Sequence, residues 1–190
     1  NGQGQLGLSN ANNTKIPQAI TSLSKIVSLS CGYYFTVCAD SKGDVFSFGQ
    51  NNCGQLGLGN TTNQQTPQKL PGIPPVSSVH CGAYHTFCID QKQKTWSFGR
   101  NSSGELGLGH TRSPISSPQQ LPFENIHNIA CGGHFTIMQD QEGILFACGY
   151  NSYGQLGIGN TTSPQSQFVQ IPALRDISEI SCGWRHSVFL

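Results

Sequence analysis

An all-β fold of four-stranded antiparallel propeller blades is predicted by three recurrences in this 190-residue chain. Gly4-Gln5-Leu6-Gly7 returns as Gly54-Gln55-Leu56-Gly57, Gly104-Glu105-Leu106-Gly107 and Gly154-Gln155-Leu156-Gly157, with an offset of 50 each time. A Cys-Gly pair falls at Cys31, Cys81, Cys131 and Cys182, at offsets of 50, 50 and 51. A third marker is an aromatic-led strand end that closes on glycine: Phe46-Ser47-Phe48-Gly49, Trp96-Ser97-Phe98-Gly99 and Phe146-Ala147-Cys148-Gly149. Three markers in one register define a tandem repeat, and a period near 50 residues is that of a propeller blade.

Within the first unit, four short segments read as strands: Ile16 to Ile20, Ile26 to Cys31, Phe35 to Ala39 and Val45 to Phe48. They are β-branched or aromatic and too short for helices. Clusters such as Ser9-Asn10-Ala11-Asn12-Asn13 and Asp40-Ser41-Lys42-Gly43 supply the turns between them. Phe46 and Phe48 share one face of the fourth segment while Ser47 takes the other, which suits a sheet packed between two neighbouring sheets. The leucine of each Gly-Gln-Leu-Gly loop is expected to fill the space between adjacent blades. The cysteine after the second segment reads as a small buried hydrophobe.

The chain forms one repeat domain over 1–190, with units 4–53, 54–103, 104–153 and an incomplete 154–190. Leu190 aligns with Ala39 and Asn1 with Asn51, so the last unit is expected to lack one strand, the equivalent of Asp40 to Gln50. The chain therefore reads as a partial propeller of about four blades, cut from a longer one. Open blade faces at either end predict self-association, completion by flanking sequence, or closure of the blades on themselves.

Composition narrows the partners. Ten Lys+Arg against nine Asp+Glu give a formal charge of +1, with only 10% charged residues, so there is no basic footprint for nucleic acid and no acidic tail. No apolar run approaches the roughly 18 residues of a membrane span, and no membrane partner is expected. Of the eight cysteines, Cys31, Cys81, Cys131 and Cys182 are locked to the repeat, and equivalent positions in separate blades lie too far apart for a disulfide. No Cys-x-x-Cys occurs, and no metal is expected. Free thiols point to a reducing compartment, cytoplasm or nucleus. The sequons at Asn12, Asn60, Asn101 and Asn160 fall in polar loops and read as turn chemistry.

No catalytic motif emerges. Gly2-Gln3-Gly4-Gln5-Leu6-Gly7 has dinucleotide-fingerprint spacing, but a polar loop follows it rather than a helix, and no cofactor is expected. Asp40, Asp90 and Asp140 recur at hairpin turns, where capping is their role. His85 and His186 share a Cys-x-x-x-His spacing, yet Phe35 and Phe135 hold the equivalent positions, so both read as strand histidines. His134, one position earlier, reads as an exposed turn residue. The chain is read as a non-enzyme.

Inside a strict frame, one turn changes identity. Tyr33-Tyr34, Ala83-Tyr84, Gly133-His134 and Trp184-Arg185 follow the Cys-Gly pairs. Variable aromatic and cationic turns on a rigid scaffold are the expected form of a binding surface. Radial repetition brings the turns to one end, so Tyr33, Tyr34, Tyr84, His134, Trp184 and Arg185 are the candidate partner-binding residues.

Asn51-x-x-Gly54-Gln55-Leu56-Gly57-Leu58-Gly59, with Cys81-Gly82-Ala83-Tyr84-His85-Thr86 and Trp96-Ser97-Phe98-Gly99, resembles the regulator of chromosome condensation repeat. That resemblance covers essentially the whole chain and implies a propeller, in this family of about seven blades, that serves protein interaction. It also implies three known employments. One is guanine-nucleotide exchange on the small GTPase Ran, together with chromatin binding, by a member carrying a wedge inserted in one blade. Units of 50 or 51 residues leave no room for that wedge here. Another is partner recruitment beside a HECT ubiquitin-ligase domain. The third is ultraviolet-B photoreception in a plant relative similar at Gly183-Trp184-Arg185-His186-Ser187, which relies on clustered tryptophans where this chain has two. The favoured expectation is a non-enzymatic protein-interaction scaffold within a larger protein. The alternatives are an exchange factor for a Ran-type GTPase or the substrate-recruiting domain of a HECT ligase.

Overall fold

The computed structural model describes residues 1–172 and 174–190, which form fourteen β-strands and no helix. Blade 1 comprises β1 (Ile26–Cys31), β2 (Phe35–Asp40), β3 (Val45–Gly49) and β4 (Gln64–Lys69). Blade 2 comprises β5 (Val76–Cys81), β6 (His85–Asp90), β7 (Lys94–Gly99) and β8 (Ile115–Glu124). Blade 3 comprises β9 (Ile126–Cys131), β10 (Phe135–Asp140), β11 (Leu145–Gly149) and β12 (Gln165–Gln170). β13 (Ile180–Cys182) and β14 (Ser187–Phe189) make a two-stranded fourth sheet. All pairings are antiparallel and follow chain order.

Each blade takes its outer strand from the sequence unit that follows, and this offset corrects two strand expectations. Ile16 to Ile20 is not a strand. Its repeat equivalents, in β4 and β12, pair with the third strand of the blade before them, and among the described residues no strand is placed to pair with Ile16 to Ile20 in that way. The fourth sheet likewise has two strands instead of the three expected, because β12, which the repeat register assigns to the last unit, pairs with β11 of blade 3.

Local chemistry fixes the hairpins and loops. Asp40 Oδ1 accepts from the backbone N–H of Lys42 at 2.9 Å and of Asp44 at 3.0 Å; Asp90 and Asp140 close the equivalent turns in the same way. The long loop after each third strand is organised by a buried asparagine. Asn51 Oδ1 accepts from Leu56 N–H at 2.9 Å, while its Nδ2 donates to the carbonyls of Asn60 at 3.0 Å and Thr62 at 3.1 Å. Asn101 and Asn151 do the same. That loop is then pinned between two blades: Ser47 of blade 1 donates to Leu56 O at 2.8 Å, and Thr86 of blade 2 donates to Gln55 O at 2.9 Å.

The pinned loop drives Leu56 into a core shared by Phe35, Val37 and Val45 of blade 1 with Val76, Val79 and Phe98 of blade 2. Leu106 and Leu156 occupy the next two cores. Where no blade stands on the other side, the same positions open to solvent. Leu6 is 39% exposed while Leu56 is fully buried, and Leu29 is 62% exposed against 4% for its equivalent Val79. At the opposite end Val188 is 57% exposed, whereas its equivalent Val37 is buried. A cleft of about 690 Å³ lies on the free face of blade 1, lined by residues that include Leu6, Ile16, Leu29 and Phe48.

Candidate functional site

The turn between the first two strands of each blade is shaped by its glycine. A Cβ on Gly82 would lie 2.1 Å from His85 Cε1, and one on Gly132 would lie 2.0 Å from Phe135 Cε1. The ring three residues on therefore folds across the glycine, and the two intervening residues project from the end of the blade. Backbone bonds tie successive turns together: Tyr33 N–H donates to Ala83 O at 3.1 Å, Ala83 N–H to Gly132 O at 3.3 Å, and Gly133 N–H to Trp184 O at 3.2 Å.

The six candidate residues meet at one end of the fold. Ring centroids are 5.8 Å apart for Tyr33 and Tyr84, 6.0 Å for Tyr84 and His134, 5.4 Å for His134 and Trp184, and 5.5 Å for Trp184 and Tyr33. Four blades thus contribute one ring each to a closed circuit, and Tyr34 leans on Tyr33 at 4.4 Å. Tyr33, Tyr34 and Trp184 are exposed, while Tyr84 and His134 are half-buried. Arg185 stands beside the circuit: its Nη1 donates to Tyr153 Oη at 3.3 Å, and its guanidinium carbon sits 5.1 Å from the Tyr153 ring centroid.

Under the rim lies a hollow of about 370 Å³ lined by the four Cys-Gly pairs. These cysteines are less enclosed than expected of core hydrophobes. Cys81 Sγ donates to Ser30 O and Cys182 Sγ to Ala130 O, both at 3.6 Å, so each thiol leans on the blade before it. Cys31 has no preceding blade among the described residues and is exposed. Burial pushes the Cys81 and Cys182 thiols up to about 12, which leaves them protonated and unreactive. Among the described residues, no group of three His, Cys, Asp or Glu side chains is placed to hold a metal ion.

His134 departs from the exposed turn residue expected. Arg100 Nη1 donates to His134 Nδ1 at 2.6 Å and to Glu105 Oε1 at 2.8 Å. An arginine can only donate, so His134 carries its proton on Nε2. Burial first, then the charges of Arg100 and Arg185, lower its pKa to about 4. Glu105 is fully buried; burial raises its pKa, and Arg100 opposes that rise. Ser103 N–H donates to its second oxygen at 2.7 Å, so both carboxylate oxygens are satisfied.

Arg100, Glu105 and Tyr153, with Tyr150 whose ring centroid lies 5.9 Å from that of Tyr153, complete the site and were not among the sequence candidates. Their signal was the same break in the repeat that marked the turns. Gln50, Arg100 and Tyr150 are equivalent, as are Cys53, Ser103 and Tyr153, and Glu105 stands where Gln5, Gln55 and Gln155 stand in the other units.

Solved structures share this architecture. Human WBSCR16 is similar with a TM-score of 0.84 at 21% identity, over 99% of this chain and 50% of that one. Prp20p from Saccharomyces cerevisiae gives 0.81 at 19% identity, over 100% of this chain and 50% of that one. Yeast RCC1 (Prp20) with Kap60 bound gives 0.81 at 23% identity, over 88% and 42%. The chain spans about half the length of these relatives, and at such identities the likeness establishes the fold. No functionally curated protein matches it in sequence. The Gly-Gln-Leu-Gly loops, the Cys-Gly turns and the blade geometry find their common source in a family model that matches residues 1–190: the chain belongs to the RCC1-like domain family.

Proposed function

We propose that this chain is a non-enzymatic protein-interaction scaffold, a portion of an RCC1-like propeller in a larger protein, and that its partner docks on the aromatic rim. The carrying observation is the closed circuit of Tyr33, Tyr84, His134 and Trp184, one ring from each sheet. Buried cores hold the backbone beneath it, so the surface is organised before any partner arrives, which lowers the entropic cost of binding. Tyrosine, tryptophan and arginine are the residue types that dominate interface energetics. All eight cysteines are free, which supports a cytoplasmic or nuclear setting. No helix among the described residues is long and apolar enough to cross a membrane.

A second reading is an exchange factor for a Ran-type small GTPase. It is favoured by the fold shared with Prp20p, whose structure was described together with binding to Gsp1p and histones. Recruitment of substrates to a HECT ubiquitin ligase is a third use of the same scaffold. Release of a fluorescent guanine nucleotide from a Ran-type GTPase separates the first two. The scaffold reading expects the release rate to be unchanged by the chain, and acceleration supports exchange.

A further inference from the structure

Carboxylates are sorted between the two ends of the blades. Strand direction places the Cys-Gly turns and the long loops at the rim end, and the β2–β3 type hairpins at the far end. Glu105 is the one carboxylate at the rim end; the other eight of the nine acidic residues lie in hairpins, strand ends or connections at the far end. Arg100, Arg112 and Arg185 belong to the rim end, while Arg175, Lys25, Lys42, Lys69, Lys92 and Lys94 share the far end with those eight carboxylates. Glu105 is buried and spanned by Arg100, so it offers no free negative charge. Arg185 has no carboxylate partner among the described residues and is exposed. Tyr153 holds its guanidinium through one nitrogen and one ring face, leaving its other donors free.

From this sorting we infer that the rim takes an acidic polypeptide segment, whose carboxylates meet Arg185 while its apolar groups lie on the aromatic circuit. The inference rests on the rim being the docking face. A guanidinium is a directional partner for carboxylate, and the far end, where eight carboxylates outnumber six cations, keeps a net negative charge that disfavours an acidic segment there. A phosphate backbone is disfavoured, since a net charge of +1 and three separated arginines do not make a continuous basic stripe.

The test uses the whole 190-residue chain and a short fluorescent peptide of alternating Asp and Glu around one Phe. Two further probes accompany it: the Asn/Gln analogue of the peptide and a single-stranded oligonucleotide. Anisotropy is expected to show the acidic peptide binding more tightly than either, and losing affinity as salt is added. Arg185→Glu and Tyr33→Ala should each weaken it by about tenfold or more, while Lys92→Glu at the far end leaves it bound. No binding of the acidic peptide overturns the inference, as does tighter binding of the oligonucleotide. Equal binding of the Asn/Gln analogue, lost in Tyr33→Ala but kept in Arg185→Glu, overturns the acidic preference and leaves the rim as the docking face. Binding that ignores both rim variants overturns the acidic preference and the rim together.

Discussion

His85 Nε2 stands 2.9 Å from Thr136 Oγ1, joining β6 of blade 2 to β10 of blade 3 in a site closed to solvent. The single hydroxyl proton of Thr136 goes to Glu105 O at 2.9 Å, so His85 is the donor and carries its proton on Nε2. Its Nδ1 is buried with no partner. Burial above all, with the nearby His134 and Arg100, lowers the pKa of His85 to about 3.

That bond predicts how stability responds to acid. Unfolded, His85 titrates near its ordinary 6.5; folded, it stays neutral to about 3. Its contribution is therefore fully present above pH 6.5 and is lost as pH falls toward 3, by roughly 1.4 kcal/mol per pH unit. His80, lowered to about 4 by burial, adds to the same slope. His85→Phe installs the residue that the repeat carries at 35 and 135. The plot of Tm against pH between about 6.5 and 4 should flatten in this variant. An unchanged slope in thermal melts followed by circular dichroism contradicts the assignment.

Gly132 offers a sharper packing test. A Cβ there would lie 2.0 Å from Phe135 Cε1, a ring buried in the core of blade 3. Gly132→Ala should cost about 1–3 kcal/mol, the ordinary range for overpacking. Gly2→Ala, where a Cβ meets nothing within 4 Å, should be neutral. Urea denaturation measures both, and equal midpoints for the two variants refute the glycine's role in the turn.

The free faces of the end blades predict the solution behaviour of this polypeptide. Leu29 and Val188 are exposed at positions that every interior blade buries. Light scattering should find concentration-dependent association, and Leu29→Lys combined with Val188→Lys should shift the chain toward the monomer. A monodisperse monomer before any substitution contradicts this expectation.

Much of the fold was legible because the repeat carries its own control. Leu56, Leu106 and Leu156 recur without drift, and a residue held in register through every blade is one that packing demands. The outer strands were harder to read. Gln64–Lys69 is polar and contains Pro67, Gln165–Gln170 has only Phe168 and Val169 as apolar residues, and membership of the preceding blade is set by pairing across the sheet, which periodicity does not encode. The convergence of Tyr33, Tyr84, His134 and Trp184 followed from radial repetition alone. His134 was misjudged because its environment is made by Arg100, a residue 34 positions away and unique to its unit. Position within the turn indicated exposure; the partner across the blade boundary decided burial.

The central claim is that the rim is the docking face, and the most direct measurement is the affinity of a purified partner for Trp184→Ala combined with Arg185→Ala. The partner is first identified by capture on the unmodified chain and then titrated calorimetrically against both proteins. The double variant should lose about 2 kcal/mol, a rise in Kd of roughly thirtyfold. Its Tm should stay near that of the parent, while a Leu156→Ala control in the buried core of blade 3 loses about 2–5 kcal/mol of stability. An unchanged Kd contradicts the account, and so does a fall in Tm as large as that of Leu156→Ala, which would make Trp184 and Arg185 packing residues.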